Sequence, residues 1–261
     1  MTEELEELYK YRELLYVLAY RDIKVRYKQS VMGVLWAVLM PILIVLSGVV
    51  VRFAYAMSSH ATLKPADIAG VAVKALPWAF FVSSIRFSSL SLVNNKELVT
   101  KIYFPKEIFP LSAVLASFFD LLVASGALIL FLFALRVGWS LSLFWLPALL
   151  LTMVMLAAGA GMMVSSACLY FRDVKFIVEV FLTFGIFFTP VFFDVSMLGD
   201  KGKWLMLNPI SPILDGFAAC VVRHQAPDPA WFTYSLVFAL MAMLTGYVFF
   251  KHLEPGFAES I

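Results

Sequence analysis

Residues 20–46 read YRDIKVRYKQSVMGVLWAVLMPILIVL, a basic stretch that passes without a break into an apolar one. The apolar half is what most constrains the fold. No charged residue occurs from 31 to 51, and about twenty such residues are what a helix needs to cross a hydrocarbon core. Upstream, Arg21, Lys24 and Lys28 stand three and four residues apart and share one face of a helix. That face can meet anionic headgroups or phosphates, while Leu14, Leu15, Leu18 and Ala19 make the other side apolar. Residues 1–30 are therefore expected to form an amphipathic interfacial helix that lies on the bilayer before the chain crosses it.

The remainder keeps this character. With 62% hydrophobic and only 15% charged residues over 261 positions, the chain belongs to the membrane class rather than to water-soluble domains. The formal net charge is only +2, so basicity has to act through position. The first apolar run begins about thirty residues in, with no small-residue cleavage pattern behind it, so a removable signal peptide is not expected. Cys168 and Cys220 fall in separate segments, which gives neither a disulfide framework nor a CxxC metal site.

Six apolar windows read as membrane-spanning helices: residues 31–57, 75–93, 109–135, 143–171, 176–193 and 231–250. A barrel would instead alternate in short blocks. The fold expected is an all-α polytopic membrane protein, with residues 31–261 as one six-span transmembrane domain. Lys10, Arg12, Arg21, Lys24, Arg26, Lys28, Lys96, Lys101, Lys106, Arg172, Lys175 and Lys251 would lie on one side, twelve in all. The other side has half as many: Lys64, Lys74, Arg136, Lys201, Lys203 and Arg223. The positive-inside bias then makes both termini, and the interfacial helix, cytoplasmic.

Between spans five and six, residues 195–230 are more than a loop. After Asn208-Pro209 and Ser211-Pro212, Ile213, Leu214, Phe217, Ala218, Val221 and Val222 recur at helical spacing over a run too short to span. A re-entrant outer helix is expected there. In span four, Ala157, Gly161 and Ser165 repeat every fourth residue, a small face that lets helices approach closely, most simply within one subunit.

Three segments carry possible chemistry. NNKELVTKIYFPKEIFP, residues 94–110, reads as a short helix capped by Asn94 or Asn95 and stopped near Pro105. It would expose Lys96, Glu97 and Lys101 beside Tyr103 and Phe104, a mixed surface suited to protein contact. YFRDVKF, residues 170–176, is a tight turn in which Asp173 can cap the next helix and Arg172 can reach a phosphate or a partner. Span two contains LPWAFFVSSIRFSSLSLV, where Ser83, Ser84, Arg86, Ser88, Ser89 and Ser91 are too polar to face lipid. Trp78, Phe80, Phe81 and Phe87 add ring faces, and such mixtures suit a sugar path; serines bonded back to their own helix are the plainer alternative. Arg86 needs a carboxylate, water or phosphate partner, with Asp120 and Glu179 available, whereas Arg52 near the outer end is expected to snorkel.

Enzymatic and metal sites find little support. His60, His224 and His252 have no companions at metal-ligand spacing, and GxSxG is absent. Asp194 and Asp215 with His224 would be the candidates for a membrane glycosyltransferase or ligase, and Arg86, Asp120 and Glu179 for a proton relay in a secondary transporter.

Taken in order, the basic helix, Gly33-Val34-Leu35-Trp36 with Pro41, Tyr103-Phe104-Pro105, Phe171-Arg172-Asp173-Val174, Thr189-Pro190-Val191 and Asn208-Pro209 resemble one family. It is the membrane subunit of type 2 ABC exporters for lipid-linked polysaccharides, which carry O-antigen, teichoic acid or capsule. The likeness covers nearly the whole chain, although the first outer loop with His60, Lys64 and Asp67 is not part of its pattern. It implies a homodimer in the bacterial inner membrane, coupled to two copies of a separate cytoplasmic ATPase that binds ATP and magnesium. No GxxxxGK[ST] loop occurs here, in keeping with that division. The resemblance implies a coupling helix with Asn94, Lys96, Glu97, Leu98, Lys101, Tyr103, Phe104 and Pro105, and a second contact at Arg172 and Asp173. It also implies a gate for the lipid-pyrophosphate head at Arg21, Lys24, Arg26 and Lys28. An undecaprenyl-linked chain would then pass Trp78, Phe80, Phe81, Ser84, Arg86, Phe87 and Ser88.

Overall fold

The structure, a computed structural model, describes residues 9–28, 30–59, 62 and 64–257. Within these residues all regular structure is helical. In chain order the α-helices are α1 (Arg12–Tyr27), α2 (Leu35–Ser59), α3 (Pro65–Ser89), α4 (Ser91–Asn94), α5 (Lys96–Lys101) and α6 (Ile108–Ala134). They continue with α7 (Leu146–Tyr170), α8 (Val174–Gly185), α9 (Gly202–Met206), α10 (Ile210–Ala218) and α11 (Pro229–Leu253). Five of them, α2, α3, α6, α7 and α11, are long and apolar enough to cross a membrane. α4 and α5 lie at one end of the bundle, its base.

α3 is the hub. About 72% of its most apolar window is buried, against 17–39% in the other four long helices, and α2, α6, α7 and α10 all pack on it. Its serines therefore face protein, where a hydroxyl can find a carbonyl, instead of lipid, where it could not. α3 also begins ten residues before the expected span. Pro65 occupies the first turn, where its missing N–H costs nothing, and Asp67 accepts a hydrogen bond from the Lys64 amide at 2.8 Å. Lys74, expected in an outer loop, is thus inside the helix and wholly buried.

Close approach of α7 to its neighbours depends on glycine. A Cβ on Gly159 would run into the backbone of Ala242 in α11, and one on Gly246 would meet the backbone of Gly159. The Ala157, Gly161 and Ser165 face packs within the chain instead: Gly161 abuts Ser88, and the Ser165 and Ser91 hydroxyls are 3.0 Å apart. Cys168 and Cys220 are both free and buried, and burial pushes the Cys220 thiol up to about 11.

The expected fifth span also needs correction. The fifth span is not a full-length helix. α8 has 12 residues, about 18 Å, and gives way to one 3-10 turn at Ile186–Phe188 before Thr189-Pro190. Gly185 and Pro190 bracket a sequence that cannot hold an unbroken helix. The chain still rises beyond α8, since Phe192 and Asp194 reach Arg52 and Lys74. α1 packs along α6. Leu18 joins the base core with Phe104 and Phe109, the Ser112 hydroxyl donates to Asp22 at 3.2 Å, and Tyr27 donates to Asp120 at 2.5 Å. Residues 1–8 of the expected interfacial helix, and His60 of the first outer loop, lie outside the described residues.

Residues 195–230 form a compact insertion. A 3-10 segment kinked at Gly199, φ 54°, leads through α9 to α10, whose apolar face is wedged among α3, α7 and α11. A π turn at Ala219–Arg223 ends at His224 in the left-handed conformation. Asp228 then accepts from the amides of Ala230 and Trp231 and caps α11.

Candidate functional site

Between α2, α3, α6 and α8 lies a cavity of about 730 Å3. Two arginines face it from different helices. Arg26, at the end of α1, donates through Nη1 to Asp120 Oδ2 at 2.6 Å and through Nη2 to the Ser117 hydroxyl at 3.4 Å. Arg86, on α3, forms a two-pronged bond to Glu179 of α8, with Nε–Oε1 2.7 Å and Nη2–Oε2 2.9 Å. The guanidinium of Arg26 sits 3.5 Å from the centroid of the Phe87 ring, a stacking that Arg makes readily. Trp36, Trp78 and Phe80 supply further aromatic surface.

This geometry sorts the residues chosen from sequence. Trp78, Phe80, Arg86 and Phe87 line the cavity, whereas Phe81, Ser84 and Ser88 do not. Ser88 donates to Pro110 O at 3.1 Å and Ser89 to Arg86 O at 2.7 Å, so these hydroxyls are committed to packing. Of the basic set on α1, only Arg26 turns inward. Arg21 pairs with its neighbour Asp22 at 2.8 Å, Lys24 lies over the Tyr20 ring, and Lys28 is exposed. The split follows from helix geometry, because Arg26 stands about 200° around from Lys24. Tyr27, Ser117 and Thr183 line the cavity and went unnoticed. Asp120 carried a signal as a lone carboxylate in an apolar span, but its cation is Arg26 rather than Arg86.

At the base, α4 and α5 meet at Asn95, which holds the N-cap position without a side-chain cap bond; its amide donates to Ser91 O at 2.7 Å. Lys96, Glu97 and Lys101 are exposed, Leu98 is half-buried, and Tyr103 is 91% exposed. Phe104, expected on this surface, is instead buried against Phe109. Arg172 and Asp173 are exposed in the turn before α8, where Asp173 sits at the N-cap without a side-chain bond. Sequence reading missed the ion group behind this surface. Lys251 bridges Glu107 and Glu254 at 3.0 and 2.9 Å, and burial raises the Glu107 carboxyl despite that cation.

A second ion group lies at the opposite end. Asp194 accepts a hydrogen bond from Lys74 at 2.9 Å and forms an ion pair with Arg52 at 2.8 Å, and Asp67 stands 3.7 Å from Arg52. Arg52 therefore does not snorkel; its Nε donates to Phe192 O at 2.9 Å inside the protein. Burial alone would raise the Asp194 carboxyl, yet Lys74 and Arg52 hold it down to about 2. Asp215 is held by Arg223 at 2.7 Å. Asp194 and Asp215 are thus engaged in separate ion pairs and make no catalytic set with His224. No group of three His, Cys, Asp or Glu side chains that could hold a metal occurs among the described residues.

Comparison with known proteins agrees with this architecture. The chain is 27% identical over 266 residues to the O-antigen export system permease protein RfbA of Myxococcus xanthus, over the full length of both. It is 26% identical over 253 residues to the protein of the same name from Klebsiella pneumoniae, over 95% of this chain and 94% of that one. The family model described as ABC-2 type transporter matches residues 13–222, the stretch that holds α1 through α10 and both sides of the cavity. The chain is a member of the ABC-2 type transporter family.

Proposed function

We propose that this chain is the permease subunit of an ATP-driven exporter that moves undecaprenyl-pyrophosphate-linked polysaccharide, O-antigen in the first instance, outward across the bacterial inner membrane. It would act as a homodimer with both termini cytoplasmic, bound to two copies of a separate ATPase. The cavity carries the reading. It combines ring faces, which cover the apolar C–H faces of sugars, with two guanidinium groups, whose planar forks suit phosphate oxygens. Similarity to O-antigen permeases along the whole chain supports the same substrate class.

The base supplies the other half. α5 with Tyr103, and the turn at Arg172 and Asp173, offer exposed polar and aromatic groups on one end of the bundle. They are suited to receive the ATPase. Teichoic-acid or capsule export would use the same parts. Proton-coupled transport is the more distant alternative, and the separate pairing of Asp120 with Arg26 and of Glu179 with Arg86 gives it little support.

The test is purification together with the partner ATPase, which is expected to be encoded beside this chain. A complex with two copies of each subunit, whose ATP hydrolysis changes on Glu97→Lys or Tyr103→Ala, is the expected result. Transport by this chain alone, driven by a proton gradient, would overturn the proposal.

A further inference from the structure

A second cavity, of about 420 Å3, lies on the other side of α3, walled by α3, α6 and α7 and closed by Phe217 and Val221 of the insertion. That volume is in the range of small-ligand pockets, about 300–1,000 Å3. Its lining is hydrocarbon. Ser125 is the one hydroxyl in it, and that hydroxyl already donates to Leu121 O at 2.7 Å. Nothing polar is left inside to orient a hydrophilic ligand. In a bundle of membrane-spanning helices, the apolar molecules that surround such a groove are lipid chains.

The mouth of the groove has a different chemistry. α6 ends there in a left-handed cap: the Val137 amide donates to Leu132 O at 3.1 Å and the Arg136 amide to Phe133 O at 3.0 Å. Glycine usually fills the left-handed position of this motif, yet here it is Arg136, with φ 56°. Arg136 is exposed and has no ion-pair partner among the described residues. It stands between Phe133 and Val137, both of which line the groove, and Trp139 at the rim is largely exposed. A cation and an indole at the end of a spanning helix mark the headgroup level.

We propose that this groove is a phospholipid site, with one acyl chain between α3, α6 and α7 and the lipid phosphate at Arg136. Its position makes the occupant more than a bystander. Leu76 and Leu121 line both this groove and the larger cavity, so these two side chains are part of the partition between them. An acyl chain on one side supports that partition against collapse or rotamer change. The inference rests on the membrane-spanning fold and not on the identity of any exported substrate.

The experiment uses the purified chain with its ATPase in nanodiscs that contain phosphatidylglycerol with a photoreactive diazirine on the acyl chain. Labelling is expected to concentrate on the peptides covering 121–133 and 143–150 and to be lost in Ser125→Trp, which fills the groove. Arg136→Gln should reduce the preference for phosphatidylglycerol over phosphatidylcholine by about fivefold, the effect of one basic residue near an anionic surface. Even labelling of the exposed α11 residues Val237, Leu244 and Val248 would overturn the site, as would equal labelling by both lipids in the unaltered protein. So would displacement of the phospholipid by a polyprenyl phosphate, which would give the groove to another lipid. Should Ser125→Trp fail to fold, unlabelled phosphatidylglycerol must compete in the unaltered protein; labelling that does not compete overturns the proposal.

Discussion

Asp194→Asn tests whether the ion group opposite the base holds the broken fifth passage in place. Lys74 is fully buried and the Arg52 side chain is 2% exposed, and both reach the 192–194 segment through backbone carbonyls as well as through Asp194. With the carboxylate gone, the two cations keep their carbonyl bonds, but the one carboxylate left within ion-pair distance of either among the described residues is Asp67, 3.7 Å from Arg52. Removing one partner of a buried pair costs about 3–5 kcal/mol, because the other charge stays desolvated. A second estimate comes from titration. The carboxyl is held near 2 from an ordinary 3.8, which is worth roughly 2 kcal/mol at about 1.36 kcal/mol per tenfold. Because the folded value is depressed, that stabilisation is present above about pH 4 and lost as pH falls through about 2, so it is fully in force at neutral pH. The two figures bracket ~3 kcal/mol, or about 6–12 °C in Tm for a chain of this size. Scanning fluorimetry in nanodiscs at pH 7 measures it. Asp67→Asn should cost less than about 1 kcal/mol, and Lys74→Met in the Asp194→Asn background should restore part of the loss by removing the stranded charge. A Tm for Asp194→Asn within about 2 °C of the parent, or no recovery on adding Lys74→Met, would refute the reasoning.

Arg86→Ala should abolish surface polysaccharide while leaving the assembled complex intact, because the Arg86–Glu179 pair is nearly half exposed and such pairs add at most about 1 kcal/mol; unchanged export would return Arg86 to a structural role. Tyr103→Ala and Phe104→Ala should separate function from stability at adjacent positions: the exposed Tyr103 should alter coupled ATPase activity with Tm unchanged, whereas the buried Phe104 should cost about 3–5 kcal/mol. Gly246→Ala should destabilise by about 1–3 kcal/mol, seen as a lower Tm, since its Cβ would meet the backbone of Gly159 and neither helix can yield locally.

How much was legible in the sequence follows from the range of each interaction. Span hydrophobicity is a local property, and four of six windows matched long helices with shifts at their ends; the second also matched, but began ten residues early. That early start depends on Lys74 and Asp67 finding Asp194 and Arg52 across the fold, which no local window contains. The break after Gly185 was written in Gly185 and Pro190 but was overridden by the apolar run around them. A short helix within 195–230 was readable because the apolar side chains of α10 fall on one side over a short run. At the cavity, ring-bearing and charged residues were found, while the serines were overvalued: a hydroxyl on a helix bonds a nearby carbonyl as readily as a ligand. Arg26 was grouped with Arg21, Lys24 and Lys28 by charge, although its angular position already set it on the opposite face.

That last distinction changes what the basic segment can do. A cationic face turned outward attracts anionic groups without discriminating among them, whereas Arg26 is held inside by Phe87 and by Asp120, which Tyr27 also bonds, and presents one aimed guanidinium. Across the cavity, Arg86 is likewise matched by Glu179. The two ion pairs leave the site formally neutral, so under the proposed function an incoming phosphate would have to compete with a carboxylate for each arginine. Competition lowers affinity, and low affinity is what passage requires, since a group bound tightly enough to keep both arginines would not leave. Under the same proposal the aromatic side chains would carry no such penalty and would hold successive sugars by contact alone. On this proposal the carboxylates would do for release what the arginines do for capture, and removing Asp120 or Glu179 should tighten anion binding while slowing export, a combination that loss of a merely structural pair would not produce.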